Sequence, residues 1–106
     1  MEKNFYKSSK WLNKRERVLK RDEYRCRECI RYGKSVIAAT VHHIIPLDQN
    51  PSLRLVSDNL LSLCNKCHDK MHDRTNNQLT KLGEEWVVRA KLKNKKKLSF
   101  SIKLFK

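Results

Sequence analysis

Two C-x-x-C pairs, Cys26-Arg-Glu-Cys29 and Cys64-Asn-Lys-Cys67, stand 34 residues apart in a chain of 106. Two residues between cysteines let both thiolates of a knuckle reach one tetrahedral ion at about 2.3 Å. Four thiolates suit zinc, whereas magnesium and calcium take oxygen. A closed four-sulfur site leaves no position for a substrate, so the expected ion is structural Zn2+. A redox C-x-x-C needs no second pair, and an iron–sulfur cluster shows other spacings. The fold must therefore bring the second pair back onto the first. That tie supports a chain whose own core is thin.

Other readings of the cysteines depend on compartment. The N-terminus, MEKNFYKSSK, has no apolar h-region, and no apolar run approaches the roughly 20 residues a bilayer needs. A cytoplasmic location is expected, with no membrane partner, and a reducing compartment argues against disulfides.

Charge points to a polyanion. Lys and Arg number 25 against 11 Asp and Glu, a formal balance of +14. Residues 1–35 carry 12 basic and 5 acidic groups, residues 36–75 carry 4 of each, and residues 76–106 carry 9 and 2. Two basic arms thus flank a neutral centre, and nucleic acid is the usual partner of such a chain.

The local patterns place the motifs. Ser8 or Ser9 caps an expected helix over 10–21, with Trp11, Leu12, Val18 and Leu19 as one apolar stripe and Lys and Arg elsewhere. On that helix Lys10, Lys14, Arg17 and Arg21 are candidate phosphate contacts. Residues 36–45, rich in β-branched and small apolar side chains and ending at Pro46, predict a strand. A polar loop over 47–58, a second strand over 60–63 and a helix over 65–74 follow. Beyond that, Leu79, Leu82, Trp86 and Ala90 fall at helical spacing, though Gly83 and Val87-Val88 weaken it. The run Lys95, Lys96 and Lys97 is a candidate phosphate track. The alternating LSFSIKLF suggests a short strand or a docking tail.

All four histidines, His42, His43, His68 and His72, lie within 31 residues. On the expected helix His68 and His72 are i and i+4, share a face and can chelate one ion. The adjacent His42 and His43, on a strand, point to opposite faces, so one can ligate metal while the other faces a substrate. Phosphodiester hydrolysis needs that division. A divalent ion stabilises charge building on the phosphorane and leaving oxygen, and a neutral imidazole takes a proton from water.

The stretch Val41-His42-His43-Ile44-Ile45-Pro46-Leu47, then Asp58-Asn59-Leu60, then Leu63-Cys64-Asn65-Lys66-Cys67-His68, resembles the HNH endonuclease family and its ββα-metal fold. Phe5-Tyr6, Trp11 and Arg25-Cys26-Arg27-Glu28-Cys29 resemble its small phage-encoded members with a four-cysteine zinc. The likeness covers residues 5 to 75. It implies that His43 is the general base, that Asn59 braces the loop between the strands, and that His68 is a metal ligand. His42 stands where many members have a metal-binding Asp. His72 stands where the nuclease colicins, which share the fold, place a further histidine. His42, His68 and His72 would then hold one catalytic divalent ion. With histidine in place of Asp, Mn2+, Ni2+, cobalt or Zn2+ suit the site better than Mg2+.

The expectation is thus an α+β chain, a small zinc-stabilised ββα-metal (His-Me finger) domain with an N-terminal helix and a basic C-terminal extension. Residues 1–106 form one nuclease domain, with a core of about 5–75 and an arm of 76–106. It cleaves DNA by hydrolysis, and the resemblance suggests a link to phage terminase or packaging proteins. The competing expectation is a zinc-stabilised DNA-binding or packaging accessory protein without hydrolytic activity, which would need the cysteines and lysines but not His43, Asn59 and His68.

Overall fold

A computed structural model of the chain describes the backbone of residues 2–76 and 78–102 and the side chains of residues 4–76 and 78–91. Helices α1 (Glu2–Lys7), α2 (Ser9–Arg21) and α3 (Arg27–Ile30) precede a two-stranded antiparallel sheet, β1 (Thr40–His43) and β2 (Leu60–Leu63). Helix α4 (Asn65–Asp69), a second small antiparallel pair, β3 (His72–Asp73) and β4 (Gln78–Leu79), and helix α5 (Lys81–Ile102) complete the order. This is a small α+β fold.

Ser8 begins α2 because its hydroxyl accepts from the Trp11 N–H, satisfying one of the donors that a helix start leaves unpaired. After α2 the chain turns sharply through Glu23 and Tyr24, both with positive φ. For non-glycine residues that conformation costs on the order of 1–3 kcal/mol each. Bonds from Tyr24 N to Leu19 O and from Ala38 N to Tyr24 O hold the turn, as does one from the Tyr24 hydroxyl to Glu16. The turn delivers Cys26 straight from the helix to the first knuckle.

The strands alternate as period two requires. Register pairs Thr40 with Leu63, Val41 with Ser62, His42 with Leu61 and His43 with Leu60. Val41 and Leu60 pack with Trp11, Val18 and Leu19 of α2, while Leu61, Leu63 and Ile44 pack with Cys26, Cys67, Met71 and Trp86. The sheet therefore separates two clusters: one under the N-terminal helix, one around the cysteines. Buried Asp22 bridges them, receiving Arg21 at 2.8 Å, Arg27 at 3.1 Å and the Ser62 N–H at 3.2 Å.

Several expectations change. The strand of residues 36–45 is shorter, because residues 36–38 pair instead with the turn before the knuckle: Cys26 N bonds Val36 O, and Ile37 bridges Arg25. Leu12 leaves the apolar stripe and is exposed. The loop over 47–58 contains two single-turn 3-10 helices, Pro51–Leu53 and Ser57–Asn59. The helix of residues 65–74 stops at Asp69. Asp73 and Asn76 side chains accept from the backbone of Thr75 and Gln78, turn bonds that compete with helix, and His72 joins a strand. The C-terminal region is also more regular than its sequence suggests. Helix α5 runs to Ile102, so residues 98–102 are helical rather than a strand, and residues 103–106 lie outside the described ones.

The core also extends past residue 75. Trp86 is buried and donates to the Glu28 carboxylate at 3.0 Å, while Leu82 and Ala90 pack beside it. A Cβ at Gly83 would lie 2.5 Å from the Met71 carbonyl, so only glycine lets α5 come this close to the segment leading into β3.

Candidate active site

The four cysteines converge as their spacing predicts. All four sulfurs lie within 4.8 Å of one another, with Cys29 Sγ 3.7 Å from Cys67 Sγ and 4.0 Å from Cys64 Sγ. A tetrahedron with about 2.3 Å metal–sulfur bonds has edges of roughly 3.8 Å, so the set fits zinc. Cys26 and Cys67 are buried, and all four are free thiols. Burial raises the Cys67 thiol well above its ordinary pKa, as do bonds to neighbouring sulfurs. For Cys64, burial is outweighed by bonds from the Cys67 backbone and the other cysteines, which bring it down to about 7. Thiolates packed this closely need a cation.

A second cluster forms on the same frame. His42 on β1, His68 on α4 and His72 on β3 bring one imidazole nitrogen each within 4.8 Å of the others, with ring centroids 5.1–5.5 Å apart. The shared helix face expected for His68 and His72 does not exist. The turn after Asp69 returns His72 to the same point by a different route. His42 Nε2 is fully buried and has no hydrogen-bond partner, an arrangement that is costly unless a further ligand takes its lone pair. Burial lowers the pKa of His42 to about 3, helped by the neighbouring His68, His72 and His43. Burial also lowers His68, assisted by His72 and Arg74 against Asp69, and lowers His72, assisted by Arg74. Three neutral imidazoles at one point fit a divalent transition metal.

His43 faces the other way. Its ring stacks on Trp11 at 4.9 Å and 22°, with Phe5 and Tyr6 around it. Its Nε2 lies 3.1 Å from the Arg54 carbonyl. A carbonyl only accepts, so Nε2 carries the hydrogen and Nδ1 keeps its lone pair. Burial lowers the His43 pKa, although the Arg54 bond opposes that shift. Asn59 secures the same loop: Oδ1 accepts from Ile45 N at 2.8 Å, and Nδ2 donates to the Ile45 and Leu53 carbonyls. Leu53 directly precedes Arg54, so the amide and the histidine are joined through one loop.

The three-histidine cluster and His43 open on one cleft of about 360 Å³, whose walls include His42, His43, His68, His72, Tyr6 and Arg15. Four convergent imidazoles, one held apart from the other three, are a layout for hydrolysis with a general base beside a metal. The family model of HNH endonucleases matches residues 26–74. A solved structure, the HNH endonuclease of the deep-sea thermophilic bacteriophage GVE2 with manganese ion, is 43% identical. That alignment covers 64% of this chain and 74% of that one, with a TM-score of 0.63. The chain belongs to the HNH endonuclease family. No curated protein matches it.

As an HNH endonuclease the chain is a metal-binding hydrolase whose substrate is DNA, which decides against an accessory protein without activity. Among the described residues no helix is long and apolar enough to cross a membrane.

The predicted phosphate contacts divide. Lys10 and Arg17 are exposed on α2 and Lys14 is half-buried, whereas Arg21 is occupied within the fold. Its guanidinium bonds Asp22 and the Ser57 and Leu60 carbonyls, which fix α2 to β2. Lys95, Lys96 and Lys97 lie on the backbone of α5. Sequence reasoning missed Arg15 and the stacking role of Trp11. The signal was available: Arg15 is four residues after Trp11 and three before Val18, inside the buried stripe of the nuclease's α2.

Proposed function

We propose that the nuclease hydrolyses DNA phosphodiesters with His43 as general base and with one divalent ion held by His42, His68 and His72. The observation that supports this most is the division of β1. The His42 ring lies beside those of His68 and His72 and carries a buried nitrogen with no partner, while His43 keeps Nδ1 free on the opposite side of the strand. Water adds to phosphorus as a P–O ester bond breaks, and His43 Nδ1 takes the water proton. The Arg54 carbonyl fixes the tautomer and Trp11 the ring plane, so the lone pair is aimed before substrate arrives. Asn59 holds the loop that carries Arg54. A divalent ion bound by the three imidazoles would stabilise the leaving oxygen and the charge on phosphorus. Manganese, nickel, cobalt and zinc suit this donor set better than magnesium. The four cysteines hold a structural zinc that takes no part in the chemistry.

Lys10, Lys14, Arg17 and the Lys95, Lys96 and Lys97 run supply non-specific affinity for the backbone, and residues 1–106 act as one nuclease unit. A partner among phage terminase or packaging proteins belongs to the same proposal and rests on the resemblance of the sequence to small phage-encoded members of the family. The test is plasmid relaxation with and without added manganese or magnesium, comparing wild type with His43→Ala. The variant should lose about a hundredfold to ten-thousandfold in rate and keep its zinc and DNA binding. Cleavage by His43→Ala near the wild-type rate would remove His43 from the mechanism.

A further inference from the structure

One cation in the cleft has no part in the chemistry so far. Arg15 lies midway along α2, half-buried, and lines the same cavity as the four histidines. Its Nη2 donates to the Ala39 carbonyl at 3.3 Å, one residue before the strand that carries His42 and His43. Its anchoring makes the guanidinium part of the frame that positions the base.

Its electrostatic situation differs from that of the four ion-paired arginines. Arg21, Arg27, Arg31 and Arg74 each have a carboxylate at 2.6–3.1 Å. Among the described residues Arg15 has no carboxylate within ion-pair distance, and the one acidic residue lining the cleft is Asp48. A guanidinium has five N–H donors, of which the Ala39 bond uses one. A partly desolvated cation with unspent donors, facing a cavity, is matched by an anion that enters the cavity. The planar fork of arginine fits two oxygens of one phosphate.

We infer that Arg15 binds the non-bridging oxygens of the scissile phosphate and binds them more tightly as negative charge builds during hydrolysis. This deepens the reading of His43 as base and rests on it. An interaction that strengthens in the transition state acts on the rate of the bound complex more than on affinity. Lys10 and Arg17, on the solvent side of the helix, act on affinity alone.

The experiment uses the full chain in excess over a labelled duplex oligonucleotide with manganese, and measures DNA affinity without added divalent ion. Arg15→Ala is expected to lower the single-turnover rate by about 100-fold, as loss of one preorganised charge-stabilising donor does. Affinity should change by less than about threefold, since one phosphate contact is a small share of the total. Arg15→Lys, which keeps charge and stem but loses the fork, should recover part of the rate. Free guanidinium ion at non-denaturing concentration should partly rescue Arg15→Ala and leave His43→Ala unrescued. Rates within about twofold of wild type for both Arg15 variants, with His43→Ala inactive, would overturn the inference and leave the base in place. If Arg15→Ala does not fold, Arg15→Lys decides. A folded lysine variant with wild-type rate means a packing role only, while a folded variant about tenfold slower with unchanged affinity supports the clamp. An active His43→Ala would instead overturn the base assignment, and the Arg15→Ala rate would still decide the clamp.

Discussion

Replacing Asn59 with alanine tests the link between the loop and the base. Asn59 is 5% exposed and gives its whole amide to the backbone: Ile45 N at 2.8 Å, Ile45 O at 3.2 Å and Leu53 O at 3.4 Å. Leaving the Ile45 N–H unpaired costs about 1–3 kcal/mol, and the two longer bonds contribute about 0.5–1 kcal/mol each. The sum is about 2–5 kcal/mol, a large share of a stability of about 5–15 kcal/mol. At about 4–8 °C per kcal/mol for a chain of this size, Tm should fall by about 8–40 °C. The second effect is chemical. Leu53 precedes Arg54, whose carbonyl fixes His43, so a loosened loop lets the imidazole rotate. Misplacement of a catalytic group by about 1 Å can cost about 100-fold, so cleavage well below Tm should drop by about 10- to 100-fold. Asn59→Asp keeps the acceptor for Ile45 N but sets a carboxylate against two carbonyls, so it should be no better than alanine. Circular dichroism melting and single-turnover cleavage read both effects. An alanine variant that melts within about 2 °C of wild type and cleaves within about twofold would refute the coupling.

Three further outcomes follow from the structure. Cys67→Ser should lose zinc and its cooperative melt, because ligation worth about 10–16 kcal/mol is folding energy here; a wild-type transition in the zinc-free variant would contradict this. For Asp22, burial pushes the carboxyl up, but Arg21, Ser62 and Arg27 outweigh it and hold its pKa below 3.8. A depressed carboxylate stabilises the fold above its unfolded pKa, and that contribution is lost as pH falls through the folded value. The stability difference between wild type and Asp22→Asn, about 1–3 kcal/mol at pH 7, should hold to about pH 5 and shrink below about pH 4. A difference that grows toward acid would contradict the assignment. Truncation after Asn94 removes Lys95, Lys96, Lys97, Lys103 and Lys106. It should flatten the slope of log affinity against log salt by up to about 0.9 per lost duplex contact, and an unchanged slope would make the lysines bystanders.

Much of the site was legible because its signals are short and local. The C-x-x-C pairs fix where two distant segments meet, and strand alternation sends His42 and His43 to opposite faces. His72 was placed in the right cluster through the wrong element. An i, i+4 spacing on a helix and a tight turn into a strand both bring it to His68, and the turn bonds of Asp73 and Asn76 that decide between them are weak in sequence. Arg21 was assigned to phosphate by its charge and Arg15 was missed, because the role of each depends on what tertiary contact it finds. Arg21 meets a buried carboxylate and two carbonyls, and Arg15 meets a cavity. The C-terminal helix was obscured by Gly83, which lowers helix propensity locally and is needed for close packing on the Met71 carbonyl.

The division of labour between the two clusters is tested most directly by anomalous scattering from crystals of the wild-type chain grown with manganese. The expected map holds a zinc peak within bonding distance of Cys26, Cys29, Cys64 and Cys67. A separate manganese peak should lie about 2.0–2.3 Å from His42 Nε2 and from one nitrogen each of His68 and His72, with His43 unligated. A manganese peak bound by His43, or no peak among the three imidazoles in a crystal that cleaves soaked DNA, would contradict the account.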